Sequence, residues 1–225
     1  MNSFENWLDK SNSGQIICVL VIISAGAFAP PLGMLIWLIW KWRLKKKIKE
    51  FGLKRPINVL KTIGIGIFLG IFLKLLFMSV IMPLIRSVII PVLGAEVKTN
   101  TFQFLEGNLT ALLGYSVFVI ISAGLFEEIL FRGFLFTRLK KWLGDSFKSR
   151  SIIIIMSSLV FGLPHVYQGY FGAIHATLVG SILGILYYVN KGNLWLLIVT
   201  HAFFDLFAIF LIYKGWNEIV SNFLF

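Results

Sequence analysis

The sequence predicts an all-α protein, a polytopic transmembrane helix bundle of about six spans. Two features of its composition carry this prediction. Of its 225 residues, 58% are hydrophobic and only 14% are charged, whereas a soluble domain has about 45–50% apolar and about 25% charged residues. The mean hydropathy is +0.86. A third observation is that apolar runs of roughly 20 residues, the length that crosses a bilayer, alternate with short basic segments.

The first predicted span covers residues 15–40, with a kink at the Pro-Pro pair that begins at Pro30. The segment "KWRLKKKIKEFGLKRP" follows at 41–56 and carries eight Lys or Arg residues against one acidic residue. By the positive-inside rule we expect residues 41–61 to be cytoplasmic. The N-terminus is then expected on the extracytoplasmic side.

The second predicted span covers residues 62–85. It contains Lys74, which is expected either to snorkel to the membrane surface or to face protein. Pro83 and the residues after it are expected to break the helix, which leaves 86–94 as a half-span or an interfacial segment. The polar residues 95–108 are expected outside.

The second half of the chain supplies the remaining spans. A long helix is predicted at 109–137, and three further spans at 151–167, 170–190 and 194–213. The intervening segment 138–150 is basic and expected in the cytoplasm. The chain thus divides into N-terminal spans and loops (1–108), a helical core (109–213) and a short tail (214–225).

The net charge of +11 has its source in basic residues at the ends of the apolar runs. This distribution is typical of topology signals at a membrane surface. Neither aromatic-basic interleaving nor zinc-finger spacing is present, so we predict no nucleic-acid partner. The one cysteine, Cys18, lies in an apolar run and has no internal disulfide partner.

The stretch "GLFEEILFRGFLF" at 124–136 places three charges in an apolar helix. Glu128 and Arg132 are four residues apart and share a helix face, so they are expected to pair. Glu127 points roughly 100° away and has no local partner. It lies about 16 Å from Arg138 at helical rise, near the middle of the membrane. Ionisable residues at such a depth are candidates for function.

Two later motifs add imidazole groups. In "FGLPHVYQG", Pro164 is expected to bend the chain just before His165 and open a cavity. In "THAFFDLF", His201 and Asp205 are four residues apart on one helix face. They are suited to hold a water or a metal, or to hydrogen-bond each other. His175, among small residues, is interpreted as a packing residue.

Together these side chains form a set that could activate water between helices within the membrane. Its members are Glu127, Glu128, Arg132, His165, His201 and Asp205.

The three motifs resemble those of the CAAX prenyl protease and bacteriocin-processing family of intramembrane peptidases, also known as the Abi family. The family pattern is E-E-x-x-x-R, then F-x-x-x-H, then H-x-x-x-N or D. Here it is matched by "EEILFR" at 127–132, "FGLPH" at 161–165 and "HAFFD" at 201–205. The resemblance covers about 109–210, and "FGLKRP" at 51–56 is similar to a segment common upstream in bacterial members.

The resemblance implies an endopeptidase that cleaves a membrane-associated peptide or protein. Glu127 is then the general base, and His165 shares its water. His201 and Asp205 bind the oxyanion or complete the water site, and Glu128 with Arg132 positions Glu127. The substrate is expected to reach the site from the membrane or from the cytoplasmic side of the cell membrane.

The third motif ends in Asp205, and an ionised carboxylate only accepts hydrogen bonds, whereas an amide can donate. The sequence leaves two mechanisms open, because H-E-x-x-H is absent. One uses Glu127 without a metal and is preferred. The other uses zinc, with ligand candidates His165, His201, Asp205 and Glu127.

The proposed cellular roles are bacteriocin maturation and self-immunity. The alternatives are a non-catalytic membrane immunity or scaffold protein, or a proton-coupled transporter. The transporter reading predicts inverted repeats, and none is evident in the sequence.

Overall fold

The computed structural model describes residues 3–93 and 102–216, in which helices are joined by short turns and loops and no strand is present. The predicted all-α membrane bundle is confirmed. The α-helices of the described ranges are α1 (Ser3–Lys10), α2 (Asn12–Phe28), α3 (Pro30–Arg43), α4 (Val59–Leu76), α5 (Met82–Leu93), α6 (Leu109–Val119), α7 (Phe136–Leu143), α8 (Phe147–Gly162), α9 (Gly169–Val189) and α10 (Leu194–Tyr213).

Four long helices begin where a polar side chain satisfies a free backbone N–H group, as helix N-caps do. Asn58 accepts a hydrogen bond at the start of α4, and Asn108 does so at the start of α6. Ser146 and Asn193 cap α8 and α10 in the same way. The polar turns that separate the apolar runs in the sequence thus set where the helices begin.

Four helical segments are long and apolar enough to cross a membrane by length and composition. They are Val59–Val92, Leu109–Leu143, Phe147–Val189 and Leu194–Tyr213. The chain is therefore a multi-pass membrane protein.

The segment Phe147–Val189 is a hairpin rather than a single rod. Gly180 of α9 lies against Ser158 of α8, and Gly184 lies against Ile154, so the two helices run antiparallel. They are joined by the 3-10 turn Leu163–Gln168. This pair corresponds to the two spans predicted at 151–167 and 170–190.

The residues predicted as one kinked span, 15–40, form two helices that fold back on each other. The break is at Ala29, and α3 begins with two prolines, which lack the N–H groups needed to continue α2. Gly33 approaches the backbone of Gly26, and it also approaches the backbone of Ile22, which is eleven positions before Gly33 in the sequence. A helix with a mild kink would hold those two residues about 16 Å apart. The predicted break is present, but it produces a hairpin.

The start of this hairpin lies at the basic end of the bundle, the end that carries segments 41–56 and 138–150. There Trp142 Nε1 donates to Gln15 Oε1 at 3.4 Å. The expectation above placed the N-terminus across the membrane from the basic segments. In the structure the start of α2 lies beside these segments, because the chain turns back at Ala29.

The helix that follows the first basic segment continues further than predicted. Residues Phe77–Ile81 form a π-helical turn, and α5 follows it directly through Pro83 to Leu93. Pro83 is the second residue of α5 and directly follows the π-helical turn. Since proline is tolerated in the first turn of a helix, Pro83 does not end the helix. The half-span predicted at 86–94 is therefore the end of a long helix, as far as the described residues extend. Of the segment predicted to be external, residues 94–101 lie outside the described ranges.

Helix α10 lies at the centre of the bundle and packs most extensively against α4. Gly66 of α4 contacts Val199, and Gly70 contacts Phe203. Both pairs advance in the same direction, so α4 and α10 run parallel. The glycines let the two backbones approach closely, as small residues do between membrane helices.

The helix after α6 runs antiparallel to α10. Gly124 lies against Ala202, and Gly133 lies against Leu194 near the basic end. At the opposite end, Gly107 N–H donates to the Tyr213 carbonyl at 3.1 Å. This register brings the two glutamates that follow Gly124 to the level of His201.

Candidate active site

Glu128 and Arg132 form a fully buried ion pair, as their spacing predicts. Arg132 Nη1 lies 2.8 Å from Glu128 Oε1, and both side chains are 0% exposed. Arg132 Nη2 also donates to the Gly180 carbonyl at 3.0 Å. The arginine therefore ties the helix that carries both charges to α9.

His201 reaches the same carboxylate from α10. Its Nδ1 lies 2.8 Å from Glu128 Oε1. Because an ionised carboxylate only accepts, Nδ1 of His201 carries the proton in this contact. The ring orientation is thereby fixed, with Nε2 on the side of Asp205. This contact joins residues 73 positions apart in the chain and was not foreseen from the sequence.

Phe161 supports the ion pair and the second histidine. The guanidinium carbon of Arg132 lies 4.6 Å from the centre of the Phe161 ring, a cation–π contact. The Phe161 carbonyl accepts from His165 Nδ1 at 2.9 Å. The carbonyl has no proton to give, so the neutral ring of His165 keeps its lone pair on Nε2.

The charged residues lie in an irregular helix. Residues Ile120–Leu135 hydrogen-bond in the π-helical i to i+5 pattern. Such segments are rare, and short π-helical turns inside α-helices are frequently found at functional sites. The pattern of residue types along the sequence did not predict this π-helical segment.

A cavity of about 670 Å³ opens beside the ion pair. All four residues predicted to be catalytic line it, namely Glu127, His165, His201 and Asp205. Glu127 is only half-buried, and it makes no hydrogen bond or ion pair with any other residue in the described ranges. The two adjacent glutamates thus differ, because Glu128 is held in the protein and Glu127 faces open space.

The His201–Asp205 pair predicted from its i,i+4 spacing is present but loose. Nε2 of His201 lies 3.5 Å from Asp205 Oδ2, and the Asp205 side chain is 30% exposed. That separation is at the outer limit of a direct hydrogen bond. The pair is therefore open to a water or a substrate oxygen from the cavity.

The described side chains do not form a ready zinc site. No three His, Cys, Asp or Glu residues in 3–93 and 102–216 lie together as metal ligands would. Zinc needs at least three protein ligands at about 2.0–2.3 Å. Nδ1 of His165 and Nδ1 of His201 each make a hydrogen bond within the protein, so Nε2 is the nitrogen of each ring that remains available to a ligand.

Two cavity residues were not assigned to the site from the sequence. Lys74 and His175 both line the cavity, from α4 and α9. The intramembrane charge of Lys74 was a signal that pointed to it. His175 lay among small residues that suit helix packing, and no pattern distinguished it.

Carboxylates and imidazoles around a cavity of a helical membrane protein form a set of groups that can bind and activate water. Residues 109–207 match the family model described as "Type II CAAX prenyl endopeptidase Rce1-like". This segment holds all three motifs, and over these residues the chain is similar to the CAAX prenyl endopeptidase family. The resemblance inferred from the motifs is confirmed. No curated protein and no solved structure matched the chain.

Proposed function

We propose that this protein is an intramembrane endopeptidase in which Glu127 activates the attacking water. The observation that carries the proposal is the contrast between the two glutamates. Glu128 is occupied by Arg132 and His201, whereas Glu127 faces the cavity without a partner among the described residues. A free carboxylate in such a cavity can accept a proton from water.

The proposed reaction begins with a water held between Glu127 and His165. Glu127 and the Nε2 lone pair of His165 each accept one hydrogen of this water. Glu127 takes a proton as the water oxygen adds to the carbonyl carbon of the peptide bond. The same proton then passes to the amide nitrogen as the C–N bond breaks, so an amine and a carboxylic acid are formed. The acid ionises by losing the second proton of the water to the Nε2 lone pair of His165, and from there to solvent.

His201 and Asp205 are proposed to stabilise the tetrahedral intermediate or to complete the water site. When His201 carries a second proton, on Nε2, it can donate to the developing oxyanion. Asp205, with Oδ2 3.5 Å from Nε2 of His201, can complete the water site beside that ring. Glu128 and Arg132 are positioning residues, since they hold His201 and the helix that carries Glu127.

The proposed substrate is a membrane-associated peptide or protein that enters from the bilayer or from the basic end of the bundle. We place the protein in the cell membrane, with segments 41–61 and 138–150 in the cytoplasm. Bacteriocin maturation or self-immunity is the proposed cellular role. No metal is assigned to the reaction.

The test is cleavage of a library of apolar peptides by purified protein in detergent, with wild type compared to Glu127→Ala. Asp145→Asn is the matched control, because Asp145 pairs with Lys140 and Arg150 in a loop at the basic end, away from the cavity. We expect cleavage by the wild type and the control only. A non-catalytic immunity or scaffold protein, or a transporter, would cleave no peptide in any form.

A further inference from the structure

Lys74 is a buried cation inside the bundle. Its side chain is 2% exposed, so it does not snorkel to the membrane surface. Among the described residues no carboxylate lies within ion-pair distance of it. Its Nζ instead lies 3.8 Å from the centre of the Phe204 ring. Charged groups at such depth normally pair with an opposite charge or face a water-filled cavity.

Lys74 faces the cavity that holds the proposed catalytic residues. The ring of Phe204 contributes a cation–π contact, but an aromatic face does not accept the hydrogen bonds of an ammonium group as an anion does. A lysine has three donors and no acceptor. Its environment is therefore complete only when an acceptor enters from the cavity.

His175 contacts the same aromatic ring. Its ring centre is 5.6 Å from that of Phe204 and 5.2 Å from that of Phe77. Nε2 of His175 is buried and has no hydrogen-bond partner among the described residues. Two nitrogen groups beside Phe204, one from α4 and one from α9, thus have no hydrogen-bond partner among the described residues.

Asp205 is the nearest candidate for a counter-ion in the sequence, since it follows Phe204. Its Oδ2 lies toward Nε2 of His201 at 3.5 Å, and it forms no ion pair with Lys74. The carboxylate of Asp205 is therefore placed for the catalytic histidine. Asp205 acts on the charge of Lys74 only through space, so among the described residues no carboxylate is in direct contact with the ammonium group.

We infer that Lys74 and His175 form a subsite for a carboxylate of the substrate. This inference rests on the proposed function and extends it to substrate choice. The cavity is otherwise lined mainly by apolar and aromatic side chains, which suit an apolar peptide. The anion that such a peptide carries is a carboxylate, either at its C-terminus or on an Asp or Glu side chain.

The test measures binding, so that it does not depend on cleavage. Three short apolar peptides with a neutral fluorescent label are titrated with Glu127→Gln protein in detergent. The first has a free C-terminal carboxylate, the second a C-terminal amide, and the third a C-terminal amide plus one Glu side chain. A hydrogen bond to a charged group corresponds to about a 10- to 100-fold difference in Kd. We expect at least one carboxylate peptide to bind more tightly than the second peptide by that factor.

The added substitution Lys74→Met should abolish this preference, and Lys74→Arg should retain most of it. Lys61→Met is the matched control, because Lys61 is an exposed lysine on the same helix, and it should leave the preference unchanged. Tighter binding of the first peptide identifies the chain end as the source, and tighter binding of the third identifies the side chain.

Equal binding of all three peptides, binding of none, or a preference that survives Lys74→Met would overturn the subsite. Failure of the proposed function gives a different result. The carboxylate preference would then be present in Glu127→Gln, while wild-type protein would cleave none of the peptides.

Discussion

His201 Nδ1 and Arg132 Nη1 both lie 2.8 Å from the same oxygen of Glu128. One carboxylate oxygen thereby links α10 to the helix of the E-E-x-x-x-R motif, and Arg132 extends the link to Gly180 in α9. The first and third motifs are thus one hydrogen-bonded unit, and the second motif joins it through the contact of Phe161 with the Arg132 guanidinium. This unit separates the roles of the adjacent glutamates, because Glu128 holds the helices together and Glu127 is left free for chemistry.

The first prediction concerns Glu127→Gln. The amide keeps the size of the side chain but loses its basicity, and general base catalysis typically supplies about 10²–10⁴-fold in rate. We expect kcat for peptide cleavage to fall by about that factor while the melting temperature stays at the wild-type value. Activity within a few-fold of wild type would show that Glu127 is not the base.

Glu128→Gln serves as the contrasting variant. It removes the counter-ion of a fully buried arginine and weakens the hold on His201. We expect a lower melting temperature together with lower activity, measured by thermal unfolding in detergent. Identical melting of the two glutamine variants would contradict the division of roles between the glutamates.

The second prediction concerns Arg132→Ala. Removing one partner of a buried pair costs about 3–5 kcal/mol, because the other charge stays buried and unpaired. The variant also loses the contacts to Phe161 and to the Gly180 carbonyl. We expect a clear decrease in thermal stability and in activity. Lys140→Ala, which removes an exposed partner of Asp145, should change neither by much.

The parts of the site that were predictable from the sequence are those set by local helix geometry. Glu128 and Arg132 lie on one helix, so their spacing alone predicts the pair. The same holds for His201 and Asp205, whose looser separation depends on what fills the cavity. The contact of His201 with Glu128 depends on how two distant helices pack, and no local pattern contains that information.

In the fold, too, the features set by local residues were predictable, and those set by packing between helices were not. The Pro-Pro pair predicted a break near Pro30, because proline lacks the N–H group that a continuing helix needs. The angle of the break was not predictable, because it is set by the close approach of Gly33 to Gly26. Lys74 was recognised as unusual in an apolar helix, but only the packing of α4 against α10 places it at the cavity.

The third prediction concerns topology. In a background without Cys18, cysteines introduced at Lys46 and Ser146 should not react with a membrane-impermeant label added outside intact cells. A cysteine at Ser13 should behave like these two, because α2 begins at the basic end. A cysteine at Gln103, at the opposite end, should be labelled. External labelling at Lys46 and Ser146 would reverse the orientation, and a different result at Ser13 alone would contradict the α2–α3 hairpin.

The last prediction separates metal-free from zinc-dependent water activation at Asp205. With Nδ1–H of His201 donated to Glu128, Nε2 can accept a hydrogen bond, and the amide in Asp205→Asn can donate one to it or to an oxyanion. We therefore expect Asp205→Asn to keep most of the wild-type activity, and chelators to have little effect after dialysis.

If His165, His201 and Asp205 move together to bind zinc, the variant should instead lose activity and regain part of it with excess zinc. The measurements are peptide cleavage by the variant with and without added zinc, and the metal content of active wild-type protein. Stoichiometric metal together with zinc rescue would refute the metal-free scheme, whereas tolerance of the amide in metal-free protein would support Glu127 as a general base that acts without a metal.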